Sequence, residues 1–128
     1  MEEPLIDFDF LNEISGSDPV YIYEVLQIFM NTTPTGLVEL DQMIRNGEDW
    51  NMVSKQAHFL KSGVSVIKIR GMYDQLAEIE KLTRKHDNTE ISDAEITEIK
   101  TIMKNIRTTF DEAHPLLINE IEKHKPAD

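Results

Sequence analysis

The sequence predicts an all-α fold: an antiparallel, up-and-down four-helix bundle with a short N-terminal lead-in helix. Three observations carry this reading. Apolar residues recur every three or four positions through four substantial segments. The connections between those segments are short, which favours antiparallel neighbours. Strand signals are missing. Stripes that each need an apolar partner pack most simply as a bundle.

The elements follow in order, within a single domain spanning residues 1–128. Residues 5–14 form the lead-in helix. The second helix, 18–46, opens with Ser17-Asp18-Pro19, a cap residue and then proline at a first helical position. Ile22, Leu26 and Phe29 mark its apolar line, continued by Leu37, Leu40 and Ile44. Pro34 either restarts this helix with Thr33 as its cap or kinks one long helix. Asn46-Gly47 ends it. Asp49 caps the next helix, 49–67. Ile69, Met72, Tyr73, Leu76, Ile79 and Leu82 define a further helix over 69–85, with Lys81, Arg84 and Lys85 suited to its C-terminus. Residues 86–89 are a loop. Ser92 and Glu95 make a capping-box pair at the start of the last helix, 92–123, which has a possible kink site at Pro115.

Composition removes many functions. The chain has 128 residues, 40% of them apolar and 29% charged, as in an ordinary soluble domain. It has no cysteine, which excludes disulfides, thiolate zinc sites and a cysteine nucleophile. No apolar run approaches the length of a membrane span. Met1-Glu2-Glu3-Pro4 is acidic where a signal peptide would be basic and then apolar, so the cytoplasm is the expected compartment. The net charge of −11 repels phosphate backbones and argues against nucleic acid as a partner. One window runs the other way. Residues 51–73 hold Lys55, Lys61, Lys68 and Arg70 with no acid, a local +4 against −15 for the remainder. This is either chance clustering or a site for one anionic group or acidic partner.

No phosphate-cradling glycine loop or nucleotide fingerprint is present. A two-metal carboxylate bundle needs Glu-x-x-His pairs, and the positions three before each histidine hold Lys55, Thr83, Asp111 and Ile121. Neither a metal nor a cofactor is therefore expected. Of the four histidines, His124 sits in the tail, His86 follows the basic end of a helix, and His114 precedes Pro115 as a structural residue. His58 differs. With His58 set at 0° on a wheel of about 100° per residue, Val53, Ala57, Leu60, Val64 and Ile67 fall between about 180° and 260°. Asn51, Ser54, Lys55, Lys61, Ser62 and Ser65 fall within about 60° of it. The imidazole thus points away from the core, which leaves an idle surface histidine or a working one. Ser62 and Ser65 are small and keep the approach clear, and Lys61 brings a cation one turn away. That combination suits a nucleophile that receives a phosphoryl group. Met52, Phe59 and Val66 form a second apolar line that either packs on a neighbour or rims a docking surface. Tyr21, Val25 and Ile28 lie on a second face of the first long helix and, with Phe59 and Lys55, form a candidate partner-docking patch.

The stretch Ala57-His58-Phe59-Leu60-Lys61-Ser62-Gly63 resembles the histidine-containing phosphotransfer (HPt) domain family, whose signature reads Ala-His-x-Leu-Lys-Gly. The likeness extends over about Leu11 to Lys85. It takes in the Gly-Ser-Asp-Pro opening, the Phe-x-x-x-Thr-Pro stretch before Leu37 and the Asn-Gly-Glu-Asp-Trp turn. The resemblance implies an up-and-down bundle acting as an intermediate in a phosphorelay. His58 would take a phosphoryl group from an aspartate of one receiver domain and pass it to another, with Lys61 stabilising its charge. Magnesium would belong to the receiver, and a hybrid sensor kinase would stand upstream. The module would be a monomeric phosphocarrier rather than a turnover enzyme, with no autokinase activity. Ser62 stands where the family usually has glycine, and Lys68 where it often has a second, so the turn after this helix is built differently, with Gly71 a candidate for it. The competing class is an HPt-like bundle that binds a receiver or kinase without carrying phosphate.

Overall fold

A computed structural model describes residues 4–47, 49–84 and 91–126. Among them are five helices and one short pair of strands. In chain order these are β1 (Ile6–Asp7), α1 (Asp9–Ser15), α2 (Pro19–Asn46), α3 (Trp50–Val64), β2 (Lys68–Ile69), α4 (Met72–Arg84) and α5 (Asp93–His124). Helix accounts for 82% of the structure, so the fold is all-α. None of the described helices is long and apolar enough to cross a membrane.

Local chemistry sets the helix ends. Asp18 accepts the Val20 amide at 3.0 Å, with Pro19 in the first turn of α2. Asp49 accepts the Met52 amide at 3.2 Å to start α3. Ser92 and Glu95 exchange backbone bonds in a complete capping box at α5. Pro34 lies inside α2, which continues through it, so Thr33 is a buried helical residue and not a cap. α5 likewise continues through Pro115.

Three boundaries differ from the periodicity, and one device explains them. β1 pairs antiparallel with β2, Ile6 opposite Ile69 and Asp7 opposite Lys68. The Arg70 amide also donates to the Leu5 carbonyl at 2.8 Å. This clip takes residues 6–7 out of the lead-in helix, so α1 starts at Asp9, where the Asp7 carboxylate accepts the Asp9 amide. It also ends α3 at Val64 rather than at 67. α4 starts at Met72 rather than at 69, because Gly71 has φ +80°, which only glycine adopts at little cost. The missing glycine at Lys68 is thus answered at Gly71. Lys85 and His86 lie outside the described residues.

The stripes meet in one core. Leu11, Leu26, Leu40, Val53, Ala57, Leu76, Ile79, Ile99 and Ile106 are among its fully enclosed side chains. α3 packs on α2 and α4, and α5 packs on α2 and α4. The α2–α3 approach is close: a Cβ on Gly36 would lie 2.6 Å from a Leu60 methyl, and the Gln56 amide donates to the Gly36 carbonyl at 3.0 Å. Tyr73, read as part of the α4 stripe, is instead exposed at the edge of that helix.

Candidate functional site

α3 turns Val53, Ala57, Leu60 and Val64 inward, each at most 2% exposed, and this orientation carries His58 to the outside. The His58 side chain is 64% exposed. Its Nδ1 lies 2.8 Å from Oε2 of Glu80 on α4. Lys61, one turn along α3, donates through Nζ to the other Glu80 oxygen, also at 2.8 Å. One carboxylate therefore joins the imidazole to the ammonium. Because an ionised carboxylate only accepts hydrogen bonds, the neutral imidazole carries its proton on Nδ1 and leaves Nε2 with the lone pair.

Glu80 is positioned by the α3–α4 seam. Its side chain is only 11% exposed. The hydroxyl of Ser54, which the wheel puts on the polar face, is instead buried and donates to the Glu80 carbonyl at 3.3 Å. A small residue is needed there because α4 backbone occupies the space. The Lys61 ammonium also sits 5.6 Å from the centre of the Tyr73 ring.

The electrostatics favour the ionised set. The Lys61 hydrogen bond, helped by that of His58, holds the Glu80 carboxyl below its ordinary value despite opposing burial. The same bond raises Lys61 above its ordinary value, against a smaller cost of burial. Arg84, one turn beyond Glu80, approaches the oxygen that faces His58 to 4.0 Å.

The other residues read from the sequence divide. Ser62 and Ser65 are exposed beside His58, but their hydroxyls turn back on α3: Ser62 donates to the His58 carbonyl at 3.4 Å and Ser65 to the Ser62 carbonyl at 2.6 Å. Lys55 is exposed. Tyr21, Ile28, Met52 and Phe59 are exposed large apolar residues, Ile28 and Phe59 by 62% and 58%. Val25 and Val66 are half-buried against the core. His114 packs edge-on to the Phe110 ring, and His124 bonds Glu120 at 3.0 Å. Sequence reasoning missed Glu80. The signal existed: at about 100° per residue Glu80 falls only about 40° from Leu76, a carboxylate inside the apolar stripe of α4.

No cluster of three or more metal-ligating side chains occurs among the described residues. No curated protein and no solved structure matches the chain. The model of the Hpt domain family matches residues 24–109, about two-thirds of the chain, and that span contains both α3 and α4. An exposed imidazole with a free nitrogen is the chemistry such a domain uses, and the protein belongs to the Hpt domain family, the histidine phosphotransfer domains of two-component phosphorelays.

Proposed function

We propose that His58 is the phosphoacceptor and that Nε2 is the reacting atom, accepting a phosphoryl group from one receiver aspartate and giving it to another. The observation that carries this is Glu80, which occupies Nδ1 and leaves Nε2 in the open. In the forward step the Nε2 lone pair attacks phosphorus in line with the acyl phosphate oxygen. The P–O bond breaks, its electron pair returns to the aspartate, and the ring becomes a phosphoimidazolium. No proton need move. The Nδ1–H bond to Glu80 strengthens as the ring gains positive charge, which lowers the barrier to phosphorylation and stabilises the phosphoimidazolium. Lys61 offers its ammonium to the phosphoryl oxygens without bonding to phosphorus. The receiver brings the magnesium ion and acidic pocket, and this chain needs no cofactor of its own.

We read the helices as an antiparallel up-and-down bundle, the arrangement that the pairwise packing of α2, α3, α4 and α5 supports. The working form is a cytoplasmic monomer that meets receivers and a hybrid kinase. Docking uses the exposed Tyr21, Ile28 and Phe59, with Val25 half-buried behind them and Lys55 supplying charge. Replacing Ile28 and Phe59 with serine is expected to weaken receiver binding at least tenfold in titrations, with melting nearly unchanged because both side chains are largely outside the core.

Label transfer from a panel of phosphorylated receivers tests the central assignment. The wild-type chain is expected to take label in a linkage stable to base and lost in acid, and His58→Gln to take none. The substitution should alter stability by no more than about 0.5 kcal/mol, the range for exposed positions. Label on the Gln variant would place the acceptor elsewhere. Tight receiver binding without any transfer would favour the pure interaction module.

A further inference from the structure

A second cationic surface lies on the α2–α5 seam, away from the α3–α4 seam that holds His58 and Glu80. Asp41 and Arg45 of α2 and Lys100, Lys104, Arg107 and Asp111 of α5 line an open cleft of about 510 Å³. The α5 members are spaced four, three and four residues apart, one stripe of roughly 16 Å along the helix. Residues 99–110 contain these three cations and no acid, although the chain has almost twice as many acids as bases.

The cleft is not a closed set of ion pairs. Asp41 accepts from Arg107 at 2.9 Å and pairs with Arg45 at 3.1 Å, so one carboxylate serves both guanidiniums. Lys100 and Lys104 have no ion pair among the described residues, and they stand one turn apart on the same face. Arg107 follows three residues later. Like charges at these spacings repel, and helices normally intersperse acids to avoid this. Four cations against two acids make the cleft +2, so the rest of the chain carries −13.

We propose that this cleft docks a short acidic peptide segment of a partner protein, on a face separate from the phosphoacceptor. Two arginines held by Asp41 and two lysines with no ion pair among the described residues present cations over a length that about five extended residues span. An acidic segment of that length concentrates its charge where the cations are. A nucleic acid carries its charge past the cleft and along a chain whose remaining residues sum to −13, which opposes it. Because the two seams differ, a partner held here leaves His58 open to a receiver.

Fluorescence anisotropy of a labelled ten-residue Glu/Asp peptide with the full chain, at low and at physiological salt, tests this. Binding that weakens as salt rises is expected, with at least a tenfold loss in Lys100→Glu/Lys104→Glu and a smaller loss in Lys100→Gln/Lys104→Gln. Circular dichroism and label transfer from a receiver should match the wild type in both variants, since neither lysine touches the core or His58. Lys55→Glu/Lys68→Glu, which reverses charge on the His58 side, should bind the peptide within about twofold of wild type. The proposal is overturned if the peptide fails to bind, if both Lys100/Lys104 variants bind as wild type, or if Lys55→Glu/Lys68→Glu accounts for the loss. It is equally overturned if a single-stranded oligonucleotide of equal charge binds more tightly than the peptide.

Discussion

Two largely shielded carboxylates hold two seams of this molecule, and each is shared by more than one nitrogen-bearing side chain. On the α2–α5 seam Asp41 takes Arg45 and Arg107. On the α3–α4 seam Glu80 takes His58 and Lys61. Their side chains are similarly shielded, 17% and 11% exposed. The difference lies in the partners. A guanidinium is always charged and has only donors, so Arg45 and Arg107 have no second state for Asp41 to select. An imidazole has two nitrogens, and a carboxylate that claims one defines what the other can do. The same device is structural at one seam and, in the function proposed, chemical at the other.

The comparison breaks most visibly if the two carboxylates are neutralised in parallel. Glu80→Gln is expected to slow phosphoryl transfer by at least about tenfold, the lower end of the loss when the outer partners that orient metal-ligating histidines are replaced. The amide still fills the space but can present an N–H to Nδ1, which selects the wrong tautomer. Lys61→Ala should slow transfer as well without abolishing it, since it removes charge stabilisation but not the nucleophile. Asp41→Asn should leave transfer at the wild-type rate. Single-turnover transfer from one phosphorylated receiver measures all three, and equal slowing by the Asn variant would show that no special role belongs to Glu80.

How far the site was legible depends on the distance over which each relation acts. The outward aim of His58 and its pairing with Lys61 are properties of one helix, and the periodicity of Val53, Ala57, Leu60 and Val64 determines them. The Glu80 contact joins residues twenty-two apart across a helix seam, and nothing in a single wheel reveals which face of α4 meets α3. Ser54 escaped for the same reason: only the closeness of α4 makes that edge of α3 interior. The clip of β1 and β2 has two residues per strand, too few for any alternation to register. Pro34 offers a restart or a kink and Pro115 a kink site within helices read as 18–46 and 92–123, and α2 and α5 run continuously through both, because packing along the whole helix outweighs one lost backbone bond.

A pH series sharpens the contrast further. The Glu80 carboxyl is lowered from its ordinary 4.5, chiefly by the Lys61 hydrogen bond. A depressed acid contributes stability that is fully present above its unfolded value and is lost as pH falls through the folded one. Lys61 is raised from 10.5 by the same bond, so its contribution is present below that value and lost as pH climbs through the folded one. The pair therefore stabilises the fold across the neutral range and fails at both extremes. The melting difference between wild type and Glu80→Gln should persist through the neutral range and shrink as pH falls below the ordinary carboxyl value of 4.5. A difference that stays undiminished well below that value would contradict the ion pair.

The smallest effect concerns Ser62, which stands where the family signature has glycine. Its hydroxyl makes a long 3.4 Å bond to the His58 carbonyl, and its side chain is exposed. It adds little bulk beside an imidazole that is itself 64% exposed, so the approach to Nε2 is already open. Ser62→Gly should therefore change the transfer rate by less than about threefold, the scale of about 0.6 kcal/mol in the barrier. Glycine costs a helix interior roughly 0.5 kcal/mol relative to serine, so melting should fall by about 2 °C. Stability and rate would then separate: a slightly weaker helix with nearly the same chemistry. A tenfold gain in rate instead would mean that the serine side chain screens the nucleophile, and that clearance over the imidazole, rather than the hold of Glu80, limits transfer in this chain.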